Sequence, residues 1–485
     1  MRVRIVWFVA GSSALAAIAV FACSVGDDVP LRCDICRDGS ATDSQVVDAA
    51  AADGAATDAA AEAAADAAAD AGPTCTFVLD PSFGDAGVVR LASPPSPEPA
   101  AIAVLAGGQL AVAGTDPSSG GILAARYSAG GDLDATFGTG GVTSFGGSVN
   151  GGSAEGIAAQ TDGKLVVVGY GLDASDTYVW QVARLDTSGA LDATFGTGGF
   201  APAPPGGPAF GADVAVLADG SIVVAGAIDN GTIDRFVLVK YTSAGQLDAT
   251  FGSGGVVVTA IGPGSALARA LAIRPDGTIV VLGRADLDVG ATTEGVALAR
   301  YSANGALDAT FGSAGTTTFA VPGSARISPR SMVVAPDGSI AVAGSTTGGS
   351  SDFFLARFTV AGTIDPSFGT AGAVKTDFFG GYDTVGALRL QPNGGFAVSG
   401  SVSLAPASGS TTTIGIAGYT ATGQLDPGFA DGGRLVTPMA PCSIAGIDVA
   451  ATLAGGKLLG MGYGRIPTGP ATFDEVLDIV RYDCK

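Results

Sequence analysis

The chain has 485 residues, a formal net charge of −21 and no histidine. The charge excludes a phosphate-neutralising surface, so no nucleic acid partner is expected. The absence of histidine excludes Ser-His-Asp and Cys-His nucleophiles, a histidine general base and every histidine metal ligand. Glycine contributes 76 residues without a Gly-X-Y period, which points to many short strands joined by tight turns.

The first 22 residues read as an export signal. "MRVR" is a basic start, and "IVWFVAGSSALAAIAVF" is an apolar run. The run stops at "VFAC", which resembles the bacterial lipoprotein signal, and that resemblance implies lipid attachment at Cys23. The alternative is an uncleaved transmembrane anchor. Either way the rest of the chain lies outside the cytoplasm, where disulfides persist.

Residues 23–74 read as a spacer. Cys33 and Cys36 form a CxxC without a βαβ context or a second CxxC, which suits a local disulfide or free thiols better than redox or zinc chemistry. Acidic residues then recur at Asp48, Asp53, Asp58, Glu62, Asp66 and Asp70 in an alanine-rich stretch. Alanine favours helix, but like charges four residues apart oppose it and no large apolar side chain would dock it. A flexible acidic tether is expected.

Residues 75–485 repeat one phrase: "LDPSFGDAG", "LDATFGTGG" twice, "LDATFGSGG", "LDATFGSAG", "IDPSFGTAG" and "LDPGFADGG". Its phenylalanines are Phe83, Phe137, Phe195, Phe251, Phe311, Phe368 and Phe429, at spacings of 54, 58, 56, 60, 57 and 61. Each period holds four strand candidates, in the third case "DVAVLA", "SIVVAG", "RFVLVKY" and "VVVTA". The first two are joined by Asp-Gly, Asn-Gly or Gly-Gly, read as supplying the positive φ angles of hairpin turns. Seven such units predict an all-β, seven-bladed propeller of four-stranded blades, with an open solenoid as the rival. The ring is expected because the last period holds strands one to three and the first only the fourth, so the two complete one blade. In the repeat frame Cys75 and Cys484 fall on one place, which predicts a disulfide between them and leaves Cys442 without an obvious partner.

The repeated aspartates are Asp80, Asp134, Asp192, Asp248, Asp308, Asp365 and Asp426. An Asp before a short turn accepts N–H groups two or three residues on. The basic residue ending strand three (Arg126, Arg184, Lys240, Arg300, Arg357 and Arg481, with Gly418 the exception) is placed to pair with it. The phenylalanine is expected between blades, with the next glycine letting the chain turn. These residues are read as structural. The pattern "LDxxFGxxG" with "xPDGxIVVAG" and "LARY" resembles the delta-60 repeat of bacterial exported β-propellers. The resemblance covers the whole body, implies fold and setting, and carries over no catalytic residues. Ala430, for the glycine after phenylalanine, and Gly418 depart from it.

Function is expected on the face bearing the loops between strands two and three and the passages between blades, because these vary while the opposite face repeats. Their carboxylates Asp173, Asp176, Asp229, Asp234, Asp286 and Asp288 form a weak calcium candidate against the reading of solvated charge. The mouth of the central channel carries Glu155, Asp213, Arg269, Arg330 and Asp448, a set suited to ion pairing, to a sugar, or to a glycosidase-type pair. Two classes follow. One is a monomeric, surface-tethered binding or scaffold module that meets an extracellular protein or glycan and touches the membrane only through its lipid. The other is a histidine-free carbohydrate hydrolase with Asp/Glu at the axis.

Overall fold

The computed structural model describes residues 77–91, 98–116, 119–146, 152–348, 350–404, 412–437, 449–452, 458–467 and 473–484. The expected signal, spacer, Cys23, Cys33, Cys36, Cys75, Cys442 and Asp448 lie outside them. Among the described residues no helix is long and apolar enough to cross a membrane.

Two short strands open the body, β1 (Phe77–Leu79) and β2 (Val88–Leu91). Blade one follows as β3 (Glu98–Val104), β4 (Leu110–Asp116), β5 (Gly121–Tyr127) and β6 (Val142–Phe145). Blade two is β7 (Gly152–Ala159), β8 (Leu165–Leu172) and β9 (Tyr178–Leu185). Blade three is β10 (Ala209–Val216), β11 (Ile222–Asp229), β12 (Asp234–Tyr241) and β13 (Val256–Thr259). Blade four is β14 (Ala266–Ile273), β15 (Ile279–Asp286), β16 (Glu294–Tyr301) and β17 (Thr316–Phe319). Blade five is β18 (Arg326–Val334), β19 (Ile340–Thr347), β20 (Phe353–Phe358) and β21 (Ala373–Thr376). Blade six is β22 (Thr384–Leu390), β23 (Phe396–Ser403), β24 (Thr412–Tyr419) and β25 (Arg434–Thr437). The last strands, β26 (Val449–Thr452), β27 (Leu458–Pro467) and β28 (Phe473–Cys484), join β1 and β2 in one sheet. Every described pairing between these strands is antiparallel, and the seven sheets form a seven-bladed propeller.

Ring closure follows from two observations. The first strands of neighbouring blades touch all the way round, including β26 against β3, so the first strand of each blade is innermost. Seven apolar clusters fill all seven interfaces between blades. Blade seven is composite, as expected. Phe77 pairs with Cys484 and Leu79 with Tyr482, while Val88 pairs with Val480. The Cys75–Cys484 disulfide lies outside the described residues, because Cys75 is not among them.

Two local expectations need correction. In blades two to six the hairpins between strands one and two are three-residue loops with a single positive φ, whereas that of blade one has two, at Gly107 and Gly108. Gln160 N–H bonds Lys164 O, Gly163 N–H bonds Gln160 O, and Gly163 alone takes φ +83°. This is a type I turn closed by a glycine bulge, not a turn with two positive φ angles. In blade two the fourth strand shrinks to an isolated bridge between Ala183 and Phe200. Pro202, Pro204 and Pro205 follow, and a residue without N–H cannot extend the ladder.

The repeated phrase builds one structural module. All seven phenylalanines are 0–1% exposed and sit in the interfaces between blades. Burying each stabilises by roughly 1.5–3 kcal/mol relative to exposure. Each repeated aspartate accepts the N–H two residues on through Oδ1, as Asp134 does from Thr136 at 3.0 Å and Asp80 from Ser82 at 2.9 Å. In five of the seven, Asp80, Asp134, Asp192, Asp308 and Asp365, Oδ2 takes Nε–H of the strand-three arginine at 2.8–2.9 Å. The same arginine covers the phenylalanine ring at 4.5–4.8 Å. Its Nη1 reaches a carbonyl of the next blade: Thr187, Ser243, Val360, Ala421 or Ala129. The departures fit too. A Cβ on Gly418 would lie 2.3 Å from Phe429 Cγ, so that ring occupies the missing side chain's space. Ala430 keeps the positive φ of the glycine it replaces, at +46°.

Candidate functional site

The innermost strands carry a β-bulge at one place in six blades, at Ala100, Glu155, Ala212, Arg269, Arg330 and Gly386. A bulge inserts one residue and re-aims its side chain. Opposite each bulge the second strand has glycine. At Gly169, Gly226 and Gly283 an added Cβ would lie 2.0 Å from a carbonyl oxygen of the first strand. The glycine of "VVAG" is therefore the sequence signal of the bulge, and it went unread. It explains why three bulged positions bring charge to the same level of the channel.

Glu155, Arg269 and Arg330 form one electrostatic group. Burial pushes the Glu155 carboxyl above its usual range, while Arg330, then Arg269 and a hydrogen bond from Ser153, pull it back. Burial lowers the Arg269 guanidinium, and Glu155 opposes that while Arg330 adds to it. Arg269 is half-buried and donates no hydrogen bond to a described residue. Its guanidinium carbon lies 6.0 Å from the Phe210 ring centre.

Asp213 departs from the expected set. It sits one residue beyond its own bulge, at Ala212, and its carboxylate is occupied by backbone. Oδ1 accepts its neighbour Val214 N–H at 2.8 Å, and Oδ2 accepts Leu271 N–H of the next blade at 2.8 Å. Burial pushes its carboxyl up to about 6, against those two hydrogen bonds and Arg330. It ties blades three and four together instead of facing the channel as a free acid.

The sequence reading missed an aromatic group beside this mouth. Tyr170 and Tyr178 stand at the two ends of the loop "YGLDASDTY", and Phe210 begins the inner strand of the next blade. Tyr170 and Tyr178 meet edge to face at 5.0 Å, with Phe210 at 6.4 Å and 5.6 Å from them. Tyr178 is 48% exposed and Tyr170 lies close enough to Arg269 to favour its charge. The signal was the pair of tyrosines bracketing one variable loop.

The six calcium candidates do not converge on one point, although Asp229 and Asp286 both act on Asp234. Asp173 accepts Ser175 and Thr177 N–H at 2.7 and 3.0 Å, and Asp288 accepts Thr292 and Thr293 N–H at 3.0 and 2.7 Å. Asp229 caps Gly231, Asp286 accepts Ser265 N–H, and Asp176 holds a turn at φ +58°. Asp234 is raised by burial and then by Asp229. Among the described residues no three acidic or cysteine side chains converge as a metal site. The oxygens of Asp173, Asp229, Asp286 and Asp288 are taken up by N–H groups of their own loops and neighbouring strands.

The chain is thus a β-propeller repeat protein. Residues 160–195, 217–251, 274–311 and 335–368 match the family model described as "Domain of unknown function (DUF5122) beta-propeller". No curated protein matches the chain. Among solved structures it is similar to a protein of unknown function from Dyadobacter fermentans, at 13% identity and TM-score 0.46 over 84% of this chain and 100% of that one. The polysaccharide lyase Uly1 is similar at 11% identity and TM-score 0.45, over 80% and 90% of the two chains. YCF48 from Cyanidioschyzon merolae is similar at 10% and 0.43, over 81% and 98%. Likeness at this level carries no activity across.

Proposed function

We propose that this protein is an exported binding module of the delta-60 repeat type. In this reading a lipid on Cys23 and the acidic spacer hold the propeller outside the cell, and its variable face meets an extracellular partner. The observation that carries the reading is the contrast between the two faces. On one, the repeated Asp, Arg and Phe satisfy each other and lock the blades. On the other, Arg269 is half-buried without a hydrogen bond and stands beside the exposed Tyr178. A planar cation beside an exposed aromatic side chain is binding chemistry.

The test is an array of extracellular glycans and proteins probed with the full chain, its Tyr178→Ala variant and its Asp276→Asn variant. Asp276 lies in a hairpin of the repetitive face. Retained partners lost in Tyr178→Ala and kept in Asp276→Asn support the reading. Equal loss in both sinks it.

Hydrolysis has one supporting observation, the raised carboxyl of Glu155, which suits a general acid. The second carboxylate such chemistry needs is tied down, since Asp213 is held by two backbone N–H groups. Turnover of an array ligand that disappears in Glu155→Gln would favour that reading over binding alone.

A further inference from the structure

The chain has four Asp–Pro bonds, after Asp80, Asp116, Asp365 and Asp426. Proline forms a tertiary amide, and its nitrogen takes a proton and leaves more readily than that of an ordinary peptide bond. Such a bond breaks when the aspartate's own carboxyl is free to attack its carbonyl carbon.

Three of the four carboxyls are engaged at both oxygens. Asp80 accepts Ser82 N–H and Oγ–H on Oδ1 and Arg481 Nε–H on Oδ2. Asp365 accepts Ser367 N–H and Oγ–H on Oδ1 and Arg357 Nε–H on Oδ2. The buried Asp116 accepts Ser119 N–H on Oδ1 at 3.4 Å, and the hydroxyls of Ser119 and Ser144 on Oδ2 at 2.8 and 2.6 Å.

Asp426 differs. Gly418 stands where the arginine would be, and Gly428 brings no hydroxyl. The half-buried Asp426 accepts Gly428 N–H on Oδ1 at 2.9 Å, and among the described residues Oδ2 accepts no hydrogen bond. The ring closed by the Gly428 bond runs through the Asp426 carbonyl carbon and the Pro427 nitrogen, so the carboxyl is folded onto that amide. The carbonyl oxygen accepts Phe429 N–H at 2.9 Å, which stabilises charge on it as the carbon is attacked.

We propose that Asp426–Pro427 is a self-cleavage site of the folded chain in mild acid. Oδ2 of the neutral carboxyl adds to the Asp426 carbonyl carbon, its proton passes to the Pro427 nitrogen, and the C–N bond breaks. The products are a five-membered cyclic anhydride and a free proline amine. Water opens the anhydride and leaves Asp426 as a new C-terminus. At Asp80 and Asp365 the ion pair removes both the proton and the free oxygen, and at Asp116 hydroxyls occupy Oδ2. The cut falls in the turn between β24 and β25. Residues 427–485 keep their place, because β25 pairs with β24 and β28 pairs with β1 and β2. The propeller is nicked without being opened.

The experiment holds the full chain at about pH 4, near the pKa of an unpaired aspartate, and at pH 7. Near-ultraviolet dichroism checks that it stays folded, and fragments are read by mass after denaturation and reduction. A piece beginning at Pro427 should accumulate at the lower pH, with the other three bonds cut at least tenfold more slowly. Asp426→Glu should abolish the cut, because the larger ring closes poorly. Arg357→Gln should raise cutting after Asp365 at least tenfold. In urea at the same pH the four bonds should be cut at similar rates. No cut at Asp426–Pro427 in the folded chain overturns the proposal, as does a cut that survives Asp426→Glu. A preference for this bond that persists in urea, or cutting after Asp365 unchanged in Arg357→Gln, overturns it as well, because the fold would not be the cause.

Discussion

Arg481 Nε lies 2.8 Å from Asp80 Oδ2, joining positions 401 residues apart, and Arg481 Nη1 continues to Ala129 O in blade one. The two side chains are 8% and 3% exposed as residues. The ring is thus latched by the same Arg–Asp–Phe module that builds every internal interface but two. It joins β28 to the turn after β1, so the composite blade is locked by side chains as well as by strand pairing.

Removing one partner of this pair leaves a buried charge without compensation. Asp80→Asn should cost about 3–5 kcal/mol. The more exposed copy Asp365, paired with Arg357, should cost less when changed to Asn. Urea unfolding of the two variants checks the order, and equal losses would mean that closure gains nothing from the latch.

Lys240 is an incomplete copy of the module. It pairs with Asp248 at 3.1 Å, but a lysine has no fork with which to reach the next blade as well. In the other copies the accepting carbonyl belongs to the second residue after the end of strand three, as Ser243 follows Tyr241. The corresponding acceptor for Lys240 is Ala303. Lys240→Arg should add that hydrogen bond and cover Phe251, raising stability by about 1 kcal/mol in the same assay. A loss of stability would show that the blade three–four interface is shaped to lysine.

Burial pushes both Asp213 and Asp383 up to about 6, above the unfolded value near 3.9. Between about pH 4 and 6 the native state therefore binds more protons than the unfolded chain, and stability falls as pH rises through that window. The turn carboxylates Asp134, Asp248, Asp308 and Asp365 act in the other sense. Hydrogen bonds from the Thr or Ser two residues on are the main force lowering them, so their contribution is lost only below about pH 4. Asp213→Asn should remove part of the decline between pH 4 and 6, on the order of 2 kcal/mol. Denaturant titrations at pH 4, 5, 6 and 7 test this, and parallel curves for wild type and variant would refute it.

The tyrosine ending strand three often reaches back to the preceding blade. Tyr241 Oη donates to Pro202 O at 2.7 Å and accepts Trp180 Nε1–H at 3.0 Å. Tyr301 and Tyr419 meet Thr259 and Thr376 at 2.8 and 2.7 Å. Tyr241→Phe leaves the buried indole N–H without its acceptor and should cost about 1–3 kcal/mol. Tyr301→Phe, which strands only a threonine hydroxyl able to rotate, should cost less. Thermal unfolding of the pair compares them.

Gly418 leaves the blade six–seven interface without the arginine, and the carbonyl such an arginine would seek belongs to Cys484, two residues after Tyr482. A Cys75–Cys484 disulfide would supply a covalent tie to that end of β28. A non-reducing peptide map should show the two peptides linked, and reduction should lower stability by about 2–5 kcal/mol. Two unlinked peptides would rule the bond out.

The period of the phenylalanines, the hairpin glycines and the split final repeat determined blade number, strand order and closure, because each unit reads out local backbone preference and repeats it. The pairing of Arg126 with Asp134 was legible for the same reason: eight residues and one turn separate them. Three things were decided only in the ring. The bulge moved Glu155, Arg269 and Arg330, each eight residues before its hairpin glycine, to one level, while Asp213, seven residues before Gly220, stands one residue out of step. Tyr178 met Phe210 across a blade boundary, and Arg269 met Glu155 across two. Such contacts depend on how twisted sheets stack around an axis, where a one-residue bulge changes which way a side chain points, and no single repeat encodes what its neighbour places opposite it.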